Sequence, residues 1–307
     1  MFPMAVALGC DLFDSAAYML YAKEDRYMME NGTSRLNELD YFPCTCPKCT
    51  AADPKRILEL EPSERMVFLA EHNLYVCAAE LKRIEQAIKE GRLWELVEMR
   101  AHCHPSLLQA LKKLKNYSKM LEEQDPISKN SGHFYFDSNS LMRPEISRHR
   151  RRMEERYSPR RMDTLLLVPE TRSKPFHKSV TFKQLLTRLR KENKTKLETV
   201  QICFYTAPFG VVPLELDEVY PLSQHETVVP PDNETANYVA EEVARYVLRT
   251  NYQRIVLLYD PDNWNAPILK SCADACTKKN IKLENINVRE TDGKKISLIL
   301  HRILSLE

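Results

Sequence analysis

With 307 residues, 29% of them charged and 43% hydrophobic, the chain is long enough to build two domains, each with its own core. A net charge of +2 excludes a uniformly basic nucleic-acid binder, so any RNA contact has to be local. No run approaches the roughly 18 to 20 apolar residues of a membrane span, and the apolar start MFPMAVALGC has no basic segment before it, so neither membrane insertion nor a secretory leader is expected.

Cysteine use points the same way. There are nine cysteines, an odd number, and Cys10, Cys77, Cys103, Cys203, Cys272 and Cys276 fall in apolar or helical contexts, as expected of a reducing cytoplasm. Along the chain, MAVALGCDLFD (4 to 14) reads as a strand. Then YFPCTCPKC (41 to 49) crowds Cys44, Cys46 and Cys49 into a C-x-C-x2-C pattern. Disulfide geometry excludes most bridges between thiols this close, whereas three thiolates from one tight loop suit a soft tetrahedral cation such as Zn2+. His72, in EHNLYV, is the nearest fourth ligand, with Cys77 its rival a turn later. A closed Cys3His shell is structural, because it leaves no position for catalytic water.

Val76, Leu81, Ile84 and Ile88 recur at helical spacing, with Gly91 as the stop, and Leu107 to Leu121 repeat the pattern after Pro105. The segment from Gln124 to Pro144 reads as loop with one short strand. ISRHRRRMEERYSPRR (146 to 161) follows, with seven arginines among sixteen residues, and reads as a solvated helix ending before Pro159. From Thr164 onward, the short apolar runs TLLLV, VQICFYT and RIVLLYD alternate with the helical stretches FKQLLTRLRKE, ANYVAEEVARYVLRT and APILKSCADACTKK. That alternation predicts a mainly parallel sheet covered on both faces. ISLILHRILSLE, at the end, reads as an apolar helix.

The succession GCDLFDSAAYMLYAKEDRYM, FPCTCPKC and EHNLYV resembles the C-terminal half of the tRNA-guanine transglycosylase family, in its archaeal, archaeosine-making branch. The resemblance implies an α/β fold in which residues 1–160 form the C-terminal portion of a TIM-type (β/α) barrel with a zinc-binding helical subdomain. It also implies that Cys44, Cys46, Cys49 and His72 are the family's zinc ligands. Asp14, in FDSAAY, takes the place of the nucleophilic aspartate that attacks the ribose anomeric carbon. The family's second aspartate and most of its base pocket come from the N-terminal half of the barrel, which this sequence lacks. A truncated ribosyltransferase working with a partner protein that supplies the missing half is therefore expected.

Residues 161–307 resemble the uracil-DNA-glycosylase-like domain of archaeosine synthases, a three-layer α/β domain, most tellingly in APFGVVPLELDEVYPLSQHE (207 to 226). Those synthases carry P-C-x3-K-P-Y-x2-S-x2-H, and here the segment is PETRSKPFHKSVTF. Pro169, Lys174, Pro175 and Ser179 keep the frame, but Glu170 replaces the cysteine, Phe176 the tyrosine and Phe182 the histidine. A carboxylate cannot form the thioimidate that a thiolate forms with a nitrile, so synthase chemistry is expected to be lost at this motif. His177 is available as a stand-in base, and Lys174 with Ser179 as a phosphate grip. For tRNA, the expected backbone contacts are Arg26, Arg148, Arg150, Arg151, Arg152 and Arg156, with Arg160 and Arg161 beyond them. The competing reading is a noncatalytic zinc-containing tRNA-binding or scaffolding subunit.

Overall fold

The structure, a computed structural model, describes residues 1–14, 16–159, 162–192, 199–264 and 266–288. Arg160, Arg161 and the terminal ISLILHRILSLE lie outside the described residues. The chain divides into two compact units, one formed by Met1–Tyr117 with Lys129–Ser131, the other by Ser118–Ser128 with Gly132–Glu307.

In the first unit, α1 (Phe2–Ala7) and α2 (Ala17–Lys23) precede an antiparallel hairpin of β1 (Arg26–Met29) and β2 (Gly32–Arg35). The expected strand MAVALGCDLFD is thus helical over its first residues. Pro3 presets a helical φ in the first turn, the alanines favour helix, and Gly9 at φ 93° ends it. The hairpin strands are the only strands among the described residues of this unit, and none pairs in the parallel manner of a barrel. After α3 (Pro54–Leu58) comes the 29-residue α4 (Pro62–Glu90), then α5 (Leu93–Ala101) and α6 (Pro105–Lys113). Gly91, at φ 75°, caps α4: its N–H donates to Ile88 O and that of Arg92 to Ala87 O. Leu69, Ala70 and the hairpin's Tyr27 share a core with Leu36, Cys49 and Ile57.

The second unit opens with α7 (Ser118–Gln124), so the expected leucine helix is split after α6. It continues with β3 (His133–Tyr135), α8 (Pro144–Glu155), β4 (Thr164–Pro169), α9 (Val180–Glu192), β5 (Val200–Thr206), β6 (Gly210–Pro213) and β7 (His225–Thr227). It closes with α10 (Asn233–Arg249), β8 (Arg254–Tyr259), α11 (Ala266–Lys279) and β9 (Lys282–Asn287). Five strands form one sheet in the order β6-β5-β4-β8-β9, all parallel except β6 at the edge.

Period-two alternation divides the sheet's side chains between two cores. Leu165, Leu167, Ile255 and Leu257 pack with Val239, Val243, Trp264 and Cys272, while Leu166, Val168, Val256 and Leu258 pack with Ile146, Phe176 and Phe182. Both faces are covered, which is why these strands read as unbroken apolar runs. The short strand β3 pairs in parallel with β7, and Ile146 of α8 is buried in the second core, which ties the arginine helix to this unit.

Candidate metal centre

The cysteine loop and α4 converge. Donor atoms of Cys44, Cys46, Cys49 and His72 all lie within 4.8 Å of one another. His72 Nδ1 is 3.3 Å from Cys49 Sγ and 3.5 Å from Cys46 Sγ. A tetrahedral ion with bonds of about 2.0 to 2.3 Å sets its donors roughly 3.5 to 3.8 Å apart, so these spacings fit such an ion. The loop is shaped by main-chain bonds from Cys49 N and Thr50 N to Cys46 O, and Cys44 Sγ accepts from Cys46 N at 3.3 Å.

The imidazole is set for coordination by its other nitrogen. His72 Nε2 donates to Met28 O at 2.9 Å, which leaves the Nδ1 lone pair directed at the thiols. Burial lowers the His72 pKa, against the pull of that carbonyl, and favours the neutral ligand form. Burial also pushes the Cys49 thiol up to about 12. Asn73, the next residue, is fully buried and pins the same strand: Oδ1 accepts from Met28 N at 2.8 Å, and Nδ2 donates to Tyr18 O and Arg26 O. Tyr27 completes the surround, with its hydroxyl 3.3 Å from Cys49 Sγ. Cys77 does not join the cluster.

Sequence reasoning picked out the four clustered residues and missed Tyr27, Met28 and Asn73 around them. The available signal was Asn73 itself, a residue with low helix propensity beside His72 in the middle of a long helix.

The other expected residues lie in several settings. Asp14 is exposed before α2, where Oδ1 accepts from Ala16 N at 3.2 Å. Arg26 donates to Thr33 Oγ1 across the hairpin and pairs with Glu24. Arg148 is 5% exposed and donates to the carbonyls of Glu122, Asp125 and Pro126, so its guanidinium is engaged in holding the end of α7. Arg150 faces Glu242 and Glu154, and Arg151 pairs with Glu122 and Glu155. Arg152 is half-buried and Arg156 exposed.

Glu170 directly follows β4, the central strand, and its buried Oε2 accepts from Thr206 Oγ1 at 2.8 Å with Lys174 Nζ 3.9 Å away. Burial raises the Glu170 carboxyl and lowers the Lys174 amine, and their mutual attraction opposes both shifts. Ser179 is buried and caps α9, accepting from Phe182 N at 3.2 Å.

Residues 1–106 match the family model described as Queuine tRNA-ribosyltransferase, and residues 146–298 match one described as a domain of unknown function, DUF5591. The tRNA-guanine(15) transglycosylase of Methanocaldococcus jannaschii is 46% identical over 230 residues, covering 73% of this chain and 32% of its own. That of Methanococcus maripaludis is 45% identical, over 74% of this chain and 33% of its own, and that of Methanobrevibacter smithii 42%, over 80% and 37%. The chain thus spans about a third of the length of the curated relatives it matches. Among solved structures, the crystal structure of AF0587, a protein of unknown function, covers 53% of this chain and 50% of its own, with a TM-score of 0.35 and 18% identity. Residues 1–106 thus match the tRNA-ribosyltransferase family model, and about three quarters of the chain is similar to part of the archaeal tRNA-guanine(15) transglycosylases.

Proposed function

We propose that this chain serves tRNA modification in the cytoplasm, in the archaeosine (deazaguanine) pathway, as the zinc-bearing part of a tRNA-ribosyltransferase assembly. The Cys3His centre, with FDSAAY preceding it, is the observation that carries the reading. Zinc is the ion the donor set favours, three soft thiolates and an imidazole closing a tetrahedron. When bound, it holds the cysteine loop against α4 and takes no part in the chemistry.

Asp14 supplies the nucleophile. Its carboxylate oxygen forms a bond to the ribose anomeric carbon as the bond to guanine breaks, and guanine leaves with a proton. The incoming base then displaces the carboxylate and gives up its own proton. One exposed carboxylate cannot handle those protons as well, so the base pocket and second carboxylate come from a further barrel portion acting with this chain. The arginines of α8 hold tRNA phosphates, Arg150, Arg151 and Arg156 being at least partly exposed.

The test is exchange of labelled guanine into tRNA by this protein together with any polypeptide that copurifies with it. Exchange that Asp14→Ala abolishes supports the reading; no exchange, or exchange indifferent to that change, defeats it.

A second reading has its own support. Glu170 is buried against Thr206 and Lys174 where synthases carry their cysteine, as suits a noncatalytic zinc-containing subunit that positions tRNA or a partner enzyme. Copurification with tRNA and a partner, without any effect of Asp14→Ala on their joint activity, would favour it.

A further inference from the structure

Two neighbours on α4 grip one residue of the hairpin. His72 Nε2 donates to Met28 O at 2.9 Å and Asn73 Oδ1 accepts from Met28 N at 2.8 Å, so both main-chain groups of Met28 are held from a single helical turn. The far side of the Asn73 amide is committed as well: Nδ2 donates to Arg26 O, in β1, and to Tyr18 O, in α2, each at 3.1 Å. One N–H and two carbonyls leave the amide a single way round, Oδ1 toward Met28 and Nδ2 toward the other two. Asn73 is fully buried, so water does not stand in for any of these partners.

Helix α2 depends on that grip. Its seven residues are too few for a helix to hold by itself, no side chain caps its N-terminus, and Ala22 is its one buried residue among those described. Leu20 and Tyr21 are exposed, and among the described residues Asn73 is the one side chain that hydrogen-bonds to α2. Asp14 leads into this helix. Its Oδ1 accepts from Ala16 N, and Ala16 O takes the first helical bond, from Leu20 N at 3.0 Å. His72 to Met28, Met28 to Asn73 and Asn73 to Tyr18 therefore form a continuous path of hydrogen bonds from the metal donors to α2.

We propose that Asn73 is a positioning residue that couples the metal centre to α2. With Cys44, Cys46, Cys49 and His72 closed on an ion, His72 fixes Met28, and Asn73 passes that order to Tyr18 and so to the helix that follows Asp14. Coupling of this kind is carried by contiguous bonds between rigid elements, and it is reciprocal. The coupling belongs to the first unit and stands without base exchange. Its consequence for catalysis, a metal-dependent placing of Asp14, rests on the reading of Asp14 as nucleophile.

The test is amide hydrogen exchange on the full chain, with zinc bound and after its removal by a chelator. In the parent, chelation should speed exchange in α2 about tenfold and leave α6, in the same unit, unchanged. Asn73→Ala should keep about one zinc per chain at about tenfold lower affinity, and its α2 should exchange at the fast rate with or without zinc. A merely structural Asn73 would leave the zinc dependence of α2 in place. If Asn73→Ala fails to fold, as circular dichroism will show, Asn73→Asp at pH 8 takes its place, because the carboxylate keeps an acceptor for Met28 N and offers the carbonyls of Tyr18 and Arg26 no donor. The proposal is overturned if α2 of the parent exchanges alike with and without zinc, if α6 loses protection equally, or if α2 of the variant still follows the metal. Guanine exchange into tRNA is read separately: should it be absent throughout while α2 of the parent follows the metal and that of the variant does not, the nucleophile reading fails and the coupling stands.

Discussion

Tyr27 lies flat on His72, the ring centroids 3.7 Å apart and the planes inclined by only 9°, while the Tyr27 hydroxyl reaches Cys49 Sγ at 3.3 Å. One side chain thus fixes the plane of the imidazole and touches a thiol on the same centre. Elemental analysis of the purified protein should give about one zinc per chain, and His72→Ala should lose it. Tyr27→Phe keeps the stack and should keep the metal. Tyr27→Ala should lower zinc affinity about 10- to 100-fold, the usual effect of removing a supporting residue, in competition with a chromophoric chelator. Equal affinity for Tyr27→Ala and the parent would refute the supporting role.

The arginines of α8 should separate by experiment. Arg148→Ala leaves buried carbonyls at Glu122, Asp125 and Pro126 without their donor, and should cost about 2 to 3 kcal/mol in urea unfolding. Arg156→Ala, at an exposed position, should leave stability within about 0.5 kcal/mol of the parent. In tRNA binding across a salt series, Arg156→Ala should reduce the slope of log K against log salt by about one. An unchanged slope would remove Arg156 from the RNA contact.

Stability should fall on mild acidification. His149 donates to Val211 O at 3.1 Å, and burial pushes its imidazole down to about 4. Between that value and its unfolded pKa of about 6.5, the unfolded chain binds more protons, so the contribution is complete above the window and is lost as pH drops through it. Burial and the nearby Lys174 cation also hold His225 well below its ordinary value, and this acts in the same direction. The His149 contribution is on the order of 2 kcal/mol, allowing for its partial exposure. Urea midpoints measured at pH 7.5 and 4.5 should differ less in His149→Gln than in the parent; an equal difference would contradict the assignment.

Glu170 and Lys174 should behave as one unit. Lys174→Met strands a buried carboxyl and should destabilise by about 3 kcal/mol, whereas Glu170→Leu with Lys174→Met together should recover most of that loss. A double variant whose cost is the sum of the two single costs would show that the 3.9 Å pair is not coupled.

Spacing made the Cys3His cluster legible, because three thiols in six positions are too close for most disulfides and suit a shared cation. The parallel sheet was legible too, since β4, β5 and β8 are apolar on both faces and helical periodicity separates them. Residues 4 to 14 were misread because alternating alanine, valine and leucine satisfy a strand pattern as readily as a helix, and Pro3 decided between them. Arg148 was illegible for a related reason: arginine counts as charge in a sequence, and only the fold shows a guanidinium turned onto three carbonyls. The His177 and Asp217 pair lies 40 residues apart along the chain, with no local pattern to join them.

Gly91 ends α4 against Lys129, where an added Cβ would come within 2.5 Å of the lysine Cβ. The carbonyls of that last turn are met from the same short stretch, Asn130 Nδ2 donating to Lys89 O and Ser131 Oγ to Glu90 O. The helix that presents His72 is therefore finished by residues beyond the point where its unit first leaves off, at Tyr117. A gene rearrangement or protease that severed the chain just after Tyr117 would carry away all four metal donors intact yet leave their helix frayed. The segment that carries the Cys3His cluster on a finished helix extends at least to Ser131.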